Sequence, residues 1–120
     1  MTILNAATSY LLWGIVLHLF VDWFLQNDWQ ARNKSNTLHP AAWVHSGLHF
    51  IAMLLIFQPI LALGIALLHL TIDTRRPLAW WRKFYRQTQT GDVVLHMAFW
   101  QDQVAHILVI AFAALIAGQL

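Results

Sequence analysis

The chain has 120 residues, enough for a single domain over 1–120, and its formal net charge of +2 indicates no partner by itself. Hydrophobic residues make up 59% of the chain and charged residues only 10%, whereas soluble domains carry about 25% charged residues. This balance excludes an ordinary water-soluble domain, and the absence of cysteine excludes disulfides and thiolate metal sites.

Four apolar stretches predict four transmembrane helices. They fall at about 7–25, 41–57, 60–76 and 94–117, and a bilayer core requires roughly 17–25 apolar residues per helix. We expect the first to be a retained helix and not a signal peptide, because no basic region precedes it. Pro59 separates the second from the third and predicts a tight helical hairpin, since proline cannot continue a helix. The predicted fold is therefore an all-α integral membrane four-helix bundle.

The positive charges predict the side of the membrane on which the loops lie. Every Lys and Arg falls in or beside two polar loops, at about 27–39 and 77–92. With four spans these loops share one side, and the positive-inside rule assigns that side to the cytoplasm. Both termini and the hairpin turn carry no Lys or Arg, so we expect them on the outer side.

The second loop alternates pairs of aromatic and basic residues in the stretch PLAWWRKFYRQT, residues 77–88. This spacing is typical of an interfacial amphipathic helix, with its rings toward lipid and its cations toward phosphates. An aromatic belt combined with positive-inside charge is the alternative interpretation. A patch that lies against a membrane is a poor nucleic-acid site, so we expect membrane lipids as partners and no nucleic acid.

Each predicted span carries one pair of ionisable residues spaced i, i+4. Residues four apart lie on the same face of a helix, one turn apart. Each helix can therefore direct two side chains toward a common centre, and all four pairs fall toward the cytoplasmic ends of their helices. The pairs are His18 and Asp22, His45 and His49, His69 and Asp73, and Asp102 and His106.

These eight residues form a nitrogen-and-oxygen ligand set for a divalent transition metal. An ionisable group at the centre of a membrane helix costs about 2.5–3.5 kcal/mol, so it is normally paired. Imidazole suits zinc or iron, and carboxylates extend the choice toward manganese. Eight candidates exceed the four ligands of one tetrahedral zinc, so we expect one or two ions, zinc before iron or manganese. Helix-bridging hydrogen bonds without metal, a proton relay and pigment ligation are the alternatives.

Further polar residues lie near the pairs. Gln26 is one turn beyond Asp22, and it is either a donor to the site or a polar residue at a helix end. Lys34 faces either the site or water. Gln103 directly follows Asp102, so we expect it to point away from the site, toward a neighbouring helix.

Four sequence blocks resemble a known family. HLFVDWFLQNDWQARNK, WVHSGLHF, LLHLTID and WQDQVAHILVI look like the blocks of a bacterial membrane family called domain-of-unknown-function family 3307, over about residues 14–110. The resemblance implies a protein of the bacterial inner membrane. The helical HxxxD pairs are also similar in style to those of membrane-bound metal-dependent hydrolases, which implies metal-assisted hydrolysis of a phosphoester.

Two functional hypotheses follow. The first is a metal-dependent hydrolase that acts on a lipid or phosphoester at the cytoplasmic membrane face. Its metal would activate water, and an aspartate not fully used as a ligand (Asp22, Asp73 or Asp102) would act as the base. The second is a non-enzymatic small subunit or assembly factor among other membrane subunits, with the cluster as structural metal or hydrogen-bonded glue. An open coordination position would favour the enzyme.

Overall fold

A computed structural model describes residues 3–87 and 91–120, and these ranges form six α-helices and one short π-helical segment. The elements are α1 (Ile3–Phe20), the π segment that continues it (Val21–Leu25), α2 (Asp28–Asn33), α3 (Pro40–Met53), α4 (Pro59–Asp73), α5 (Arg76–Phe84) and α6 (Asp92–Gln119). No strand occurs among the described residues, so the all-α prediction is confirmed.

Local sequence explains where the short connections end and the helices begin. The side chain of Asn27 accepts a hydrogen bond from the backbone N–H of Gln30 and thereby caps α2. His39 caps α3 in the same way, since its Nδ1 accepts from the backbone N–H of Ala41. Proline occupies the first turn of both α3 and α4, where its missing N–H leaves no helical bond unmade. The first polar loop, predicted at about 27–39, thus contains the short helix α2, which the sequence analysis did not predict.

Two elements in the described part of the chain are long and apolar enough to cross a membrane. They are α1 with its π segment (Asn5–Leu25) and α6. Helices α3 and α4 have 14 and 15 residues, or about 21 and 22 Å, whereas a bilayer core is about 30 Å thick. The predicted spans 41–57 and 60–76 are shortened because residues 54–57 form the turn of the hairpin and α4 ends at Asp73.

The four longer helices pack around a core of small side chains. Helix α1 runs antiparallel along α6, α3 packs against α4, α4 packs against α6, and α1 also touches α3. Most of the buried apolar side chains are alanines, among them Ala62, Ala66 and Ala113. Small residues at helix contacts allow close approach of backbones, which is typical of membrane helices. Gly14 marks a close contact between α1 and α6, because a Cβ there would lie 2.5 Å from Cγ2 of Ile110.

Helix α5 occupies the position that was predicted for an interfacial amphipathic segment. Its aromatic residues Trp80 and Phe84 are exposed and stacked, with ring centroids 5.3 Å apart. The cations do not all point away from the protein, as the prediction required. Arg82 is buried, and its Nη1 donates a hydrogen bond to Oε1 of Gln101 on α6 at 2.9 Å. Residues 88–90 of the predicted loop lie outside the described residues.

Candidate metal centre

The carboxylate of Asp22 is one of two centres in a buried cluster of histidines. Asp22 lies in the π segment directly after α1, and such single-turn segments are frequent at functional sites. Its Oδ1 lies 2.9 Å from Nε2 of His49 and 3.2 Å from Nε2 of His45, both on α3. Its Oδ2 lies 3.3 Å from Nε2 of His18, one turn earlier on its own helix. Three imidazoles from two helices therefore surround one carboxylate.

The carboxylate of Asp73, at the end of α4, is the second centre. Its Oδ2 lies 3.0 Å from Nε2 of His69 and 3.4 Å from Nε2 of His45. Its Oδ1 lies 3.2 Å from Nε2 of His106 on α6. His45 thus contacts both carboxylates and joins the two halves of the cluster.

Asp102 lies at the edge of this arrangement. Its Oδ1 is 3.5 Å from Nε2 of His106, and 24% of its side chain is exposed, whereas Asp73 and the cluster histidines are almost fully buried. Seven of the eight predicted residues thus meet in one buried cluster, and the eighth borders it. The i, i+4 spacing produced the expected convergence from all four longer helices.

The spacing of the ligand atoms suits metal coordination. Ligands bound about 2.0–2.1 Å from a tetrahedral zinc lie about 3.3–3.4 Å apart, close to the separations in both halves of the cluster. Two groups offer ligand atoms that all lie within 4.8 Å of one another. The groups are Asp22 with His45, His49 and His69, and Asp73 with His69 and His106. Since His69 belongs to both groups, the donor set fits one ion or two neighbouring ions.

The position of His45 suits a cation held between the two carboxylates. Gln30 donates through Nε2 to the carbonyl oxygen of Leu25, so its amide oxygen faces His45. Nδ1 of His45 therefore donates to Oε1 of Gln30, at 3.1 Å. Nε2 of His45 faces Asp22 and Asp73 and has no hydrogen-bond partner among the described residues. This nitrogen is therefore placed to act as a ligand to a cation that the two carboxylates would share.

Three residues outside the eight also belong to the site. Gln30 orients His45 through a hydrogen bond with Nδ1. In metal sites, the ring nitrogen of a histidine that does not bind the metal is normally held by such a hydrogen bond. Nζ of Lys34 lies 3.8 Å from Oδ1 of Asp73, so Lys34 faces the site. Gln103 points to a neighbouring helix, as predicted, but it does not point away from the site. Its Oε1 lies 3.4 Å from Nε2 of His18 in the cluster. It also donates to Oδ2 of Asp102. No spacing rule links Gln30 to the pairs, because it lies on the short helix α2.

A cavity of about 440 Å³ borders the cluster. Its lining includes all three aspartates predicted as catalytic, Asp22, Asp73 and Asp102, together with Gln26. The cations Lys34, Arg75 and Arg82 also line it. Lys34 comes from the first polar loop, Arg82 from the second, and Arg75 from the turn between α4 and α5. The volume is within the range of about 300–1,000 Å³ found for small-molecule sites. The candidate ligand atoms of Asp22 and Asp73 are therefore next to a space large enough for a small molecule.

Comparison with known proteins places the chain in a sequence family. Residues 10–120 match the family model described as "Protein of unknown function (DUF3307)", which confirms the resemblance inferred from the sequence blocks. The comparisons found no match among curated proteins and none among solved structures.

Proposed function

The chain belongs to the DUF3307 family, and from this premise we propose that it is an integral membrane protein whose His/Asp cluster binds one or two divalent transition metal ions. We propose further that it is a hydrolase acting on a lipid or phosphoester at the cytoplasmic face of the bacterial inner membrane. The observation that carries the metal proposal is the convergence of buried histidine and aspartate side chains in two groups, each with ligand atoms within 4.8 Å of one another.

The distribution of polar and apolar side chains supports the membrane part of the proposal. Large apolar side chains are exposed along the longer helices, among them Trp13, Ile51 and Phe112. The interior contains five histidines and two aspartates. A soluble protein rarely exposes so much contiguous apolar surface, whereas buried polar groups surrounded by apolar surface suit a bundle in lipid. The short helices α3 and α4 would then span by local thinning of the bilayer.

The cavity supports an enzyme over a closed structural metal site. A metal held by the cluster would activate water and polarise an oxygen of the substrate. Asp102 is the best candidate for the base, because it lines the cavity, is partly exposed and lies outside both tight ligand groups. Its Oδ2 accepts from Nε2 of Gln103, which holds the carboxylate in place. Asp22 and Asp73 would serve chiefly as ligands.

A non-enzymatic subunit of a larger membrane complex remains the second candidate. The observation that favours it is the brevity of α3 and α4, because a hairpin shorter than the bilayer core gains from packing against partner helices. In that case the metal would only join the helices, and loss of Asp102 would have no catalytic consequence.

Hydrolysis of model phosphoesters tests the proposal. Purified protein in detergent should hydrolyse p-nitrophenyl phosphate or bis(p-nitrophenyl) phosphate, lose this activity with a chelator, and regain it with zinc or manganese. Asp102→Asn should lower the rate about 10²–10⁴-fold, the range for a general base, and should keep its metal. Asp92→Asn, an exposed residue at the start of α6, is the matched control. Full activity in Asp102→Asn would remove it as the base, and metal without hydrolysis of either ester would favour the subunit.

A further inference from the structure

We propose that the substrate is an anionic lipid, whose phosphate binds the cations of the cavity and whose acyl chain lies in an apolar groove between α5 and α6. The proposal rests on the function proposed above, and it adds the substrate class. Two independent features carry it, a cationic wall and an apolar groove that share a lining residue.

The cationic wall consists of Lys34, Arg75 and Arg82. Arg82 is more than nine-tenths buried, and its Nε has no hydrogen-bond partner among the described residues. A buried guanidinium with an unused N–H is suited to a phosphate oxygen, because arginine binds phosphate through two or more of its donors. With metal between the cluster carboxylates, the cations of the wall are available for an incoming anion.

The backbone at Arg75 is consistent with a functional position. Arg75 has a φ of 67°, in the left-handed region, where the turn from α4 to α5 would ordinarily use glycine. A non-glycine residue there costs about 1–2 kcal/mol, and such residues cluster at ligand sites. The turn keeps Arg75 on the cavity wall, whereas Arg76, the next residue, is not part of its lining.

The apolar groove adjoins this cavity. A second cavity of about 400 Å³ lies between α5 and α6, and Leu78 lines both cavities. Its α6 wall follows one helical face from Met97 to Leu108, and its α5 wall includes Trp81. That face is roughly 16 Å long at 1.5 Å per residue. Gln101 is the polar residue in the groove, and it binds Arg82 of the cationic wall.

The two features would act differently on a lipid. Hydrocarbon around the protein is as apolar as the groove, so an acyl chain would gain affinity there from van der Waals packing alone, and a side chain that fills the groove would remove that gain. The larger part of the affinity would come from the anionic headgroup, which the cations hold beside the aspartates. A lipid with an anionic headgroup and an acyl chain would occupy both the cavity with the cationic wall and the apolar groove, whereas a free phosphate would occupy only the cavity.

Binding measured by tryptophan fluorescence tests the proposal, since Trp23 and Trp81 line the two cavities. The full chain, in a non-ionic detergent, is titrated with dihexanoyl phosphatidic acid, dihexanoyl phosphatidylcholine, glycerol 3-phosphate and inorganic phosphate. We expect the phosphatidic acid to bind best. Arg75→Gln and Lys34→Gln should weaken it about tenfold, the effect of losing one charge-assisted hydrogen bond. The controls Arg76→Gln and Lys83→Gln should bind as the wild type does.

A variant that fills the groove separates a lipid from a free anion. Ala105→Phe should weaken phosphatidic acid and leave inorganic phosphate unchanged, whereas Leu115→Phe, outside the groove, should change neither. Equal binding of the two lipids, or an equal loss of binding in the controls Arg76→Gln and Lys83→Gln, would overturn the proposal. Unchanged lipid binding in Ala105→Phe would overturn the lipid assignment and leave a site for free phosphate. Metal content of the same samples shows which idea fails: metal without lipid preference refutes this inference, and lipid preference without metal refutes the metal centre.

Discussion

Gly14→Ala tests the close contact between α1 and α6 that brings their histidines together. A Cβ at this position would lie 2.5 Å from Cγ2 of Ile110, whereas carbon atoms in contact are about 3.5–4.0 Å apart. The two helices would have to separate by about 1 Å, because Ile110 is β-branched, buried and stiff. His18 and His106 each lie one turn from this contact, so the same displacement would pull the ligands apart.

The magnitude follows from two opposing effects. Overpacking of a well-packed core costs about 1–3 kcal/mol, and replacing glycine by alanine within a helix gains about 1 kcal/mol. Gly47 and Gly64 are matched controls, because a Cβ at either position meets nothing within 4 Å. Gly64→Ala should therefore show the gain alone. The free energy of unfolding of Gly14→Ala should lie about 1–3 kcal/mol below that of Gly64→Ala.

Thermal and denaturant unfolding in detergent, measured on both variants, provides the comparison. A second substitution, Ile110→Leu, moves the branch away from Cβ and should restore most of the stability lost in Gly14→Ala. Metal affinity should fall in Gly14→Ala and remain unchanged in Gly64→Ala. If Gly14→Ala is as stable as Gly64→Ala and keeps its metal, the antiparallel contact between α1 and α6 is not as close as described.

Two further predictions concern the residue that orients His45 and the orientation of the chain in the membrane. Gln30→Leu should weaken metal binding about 10–100-fold, the usual effect of removing the partner that orients a ligand. Gln30→Glu keeps an acceptor for Nδ1 of His45 and should bind the metal more tightly than Gln30→Leu does, as measured by competition with a chelator. Equal metal affinities in the two variants would exclude a role of Gln30 in orienting His45. A reporter enzyme that is active only outside the cytoplasm should be active when it is fused to the C-terminus. The same enzyme inserted at residues 35–38 should be inactive, because the proposed topology places that loop in the cytoplasm. A cytoplasmic C-terminus would contradict the four-span topology.

The convergence of the ionisable pairs was predictable because it depends only on helical periodicity. Each pair lies on one helical face, and ionisable side chains in apolar helices turn inward. The sequence therefore named the seven residues that meet in the cluster, and Asp102 at its edge. Periodicity does not fix how far each helix rotates about its axis, and so it did not separate Asp102 from the others.

The missed features depend on contacts between distant parts of the chain. Gln30 acts through a hydrogen bond to α3, and the burial of Arg82 depends on Gln101, on α6. The π segment at Asp22 has no compositional signal, and regular helix was expected throughout 7–25. The need for glycine at position 14 could not be predicted from the sequence, because it depends on the contact with Ile110 on α6. The short α3 could have been anticipated in part, since its predicted span was already near the minimum length.

Metal content by mass spectrometry on purified, untagged protein is the most direct test of the central claim. The wild type should contain one or two equivalents of a transition metal, and a His49→Ala, Asp73→Ala double variant should contain none. The control is His96→Ala, Asp92→Ala, a pair with the same chemistry and spacing that is exposed on α6, and it should keep the full content. A wild type without metal, with the first double variant merely less stable, would mean that the cluster joins the helices by hydrogen bonds and binds no metal.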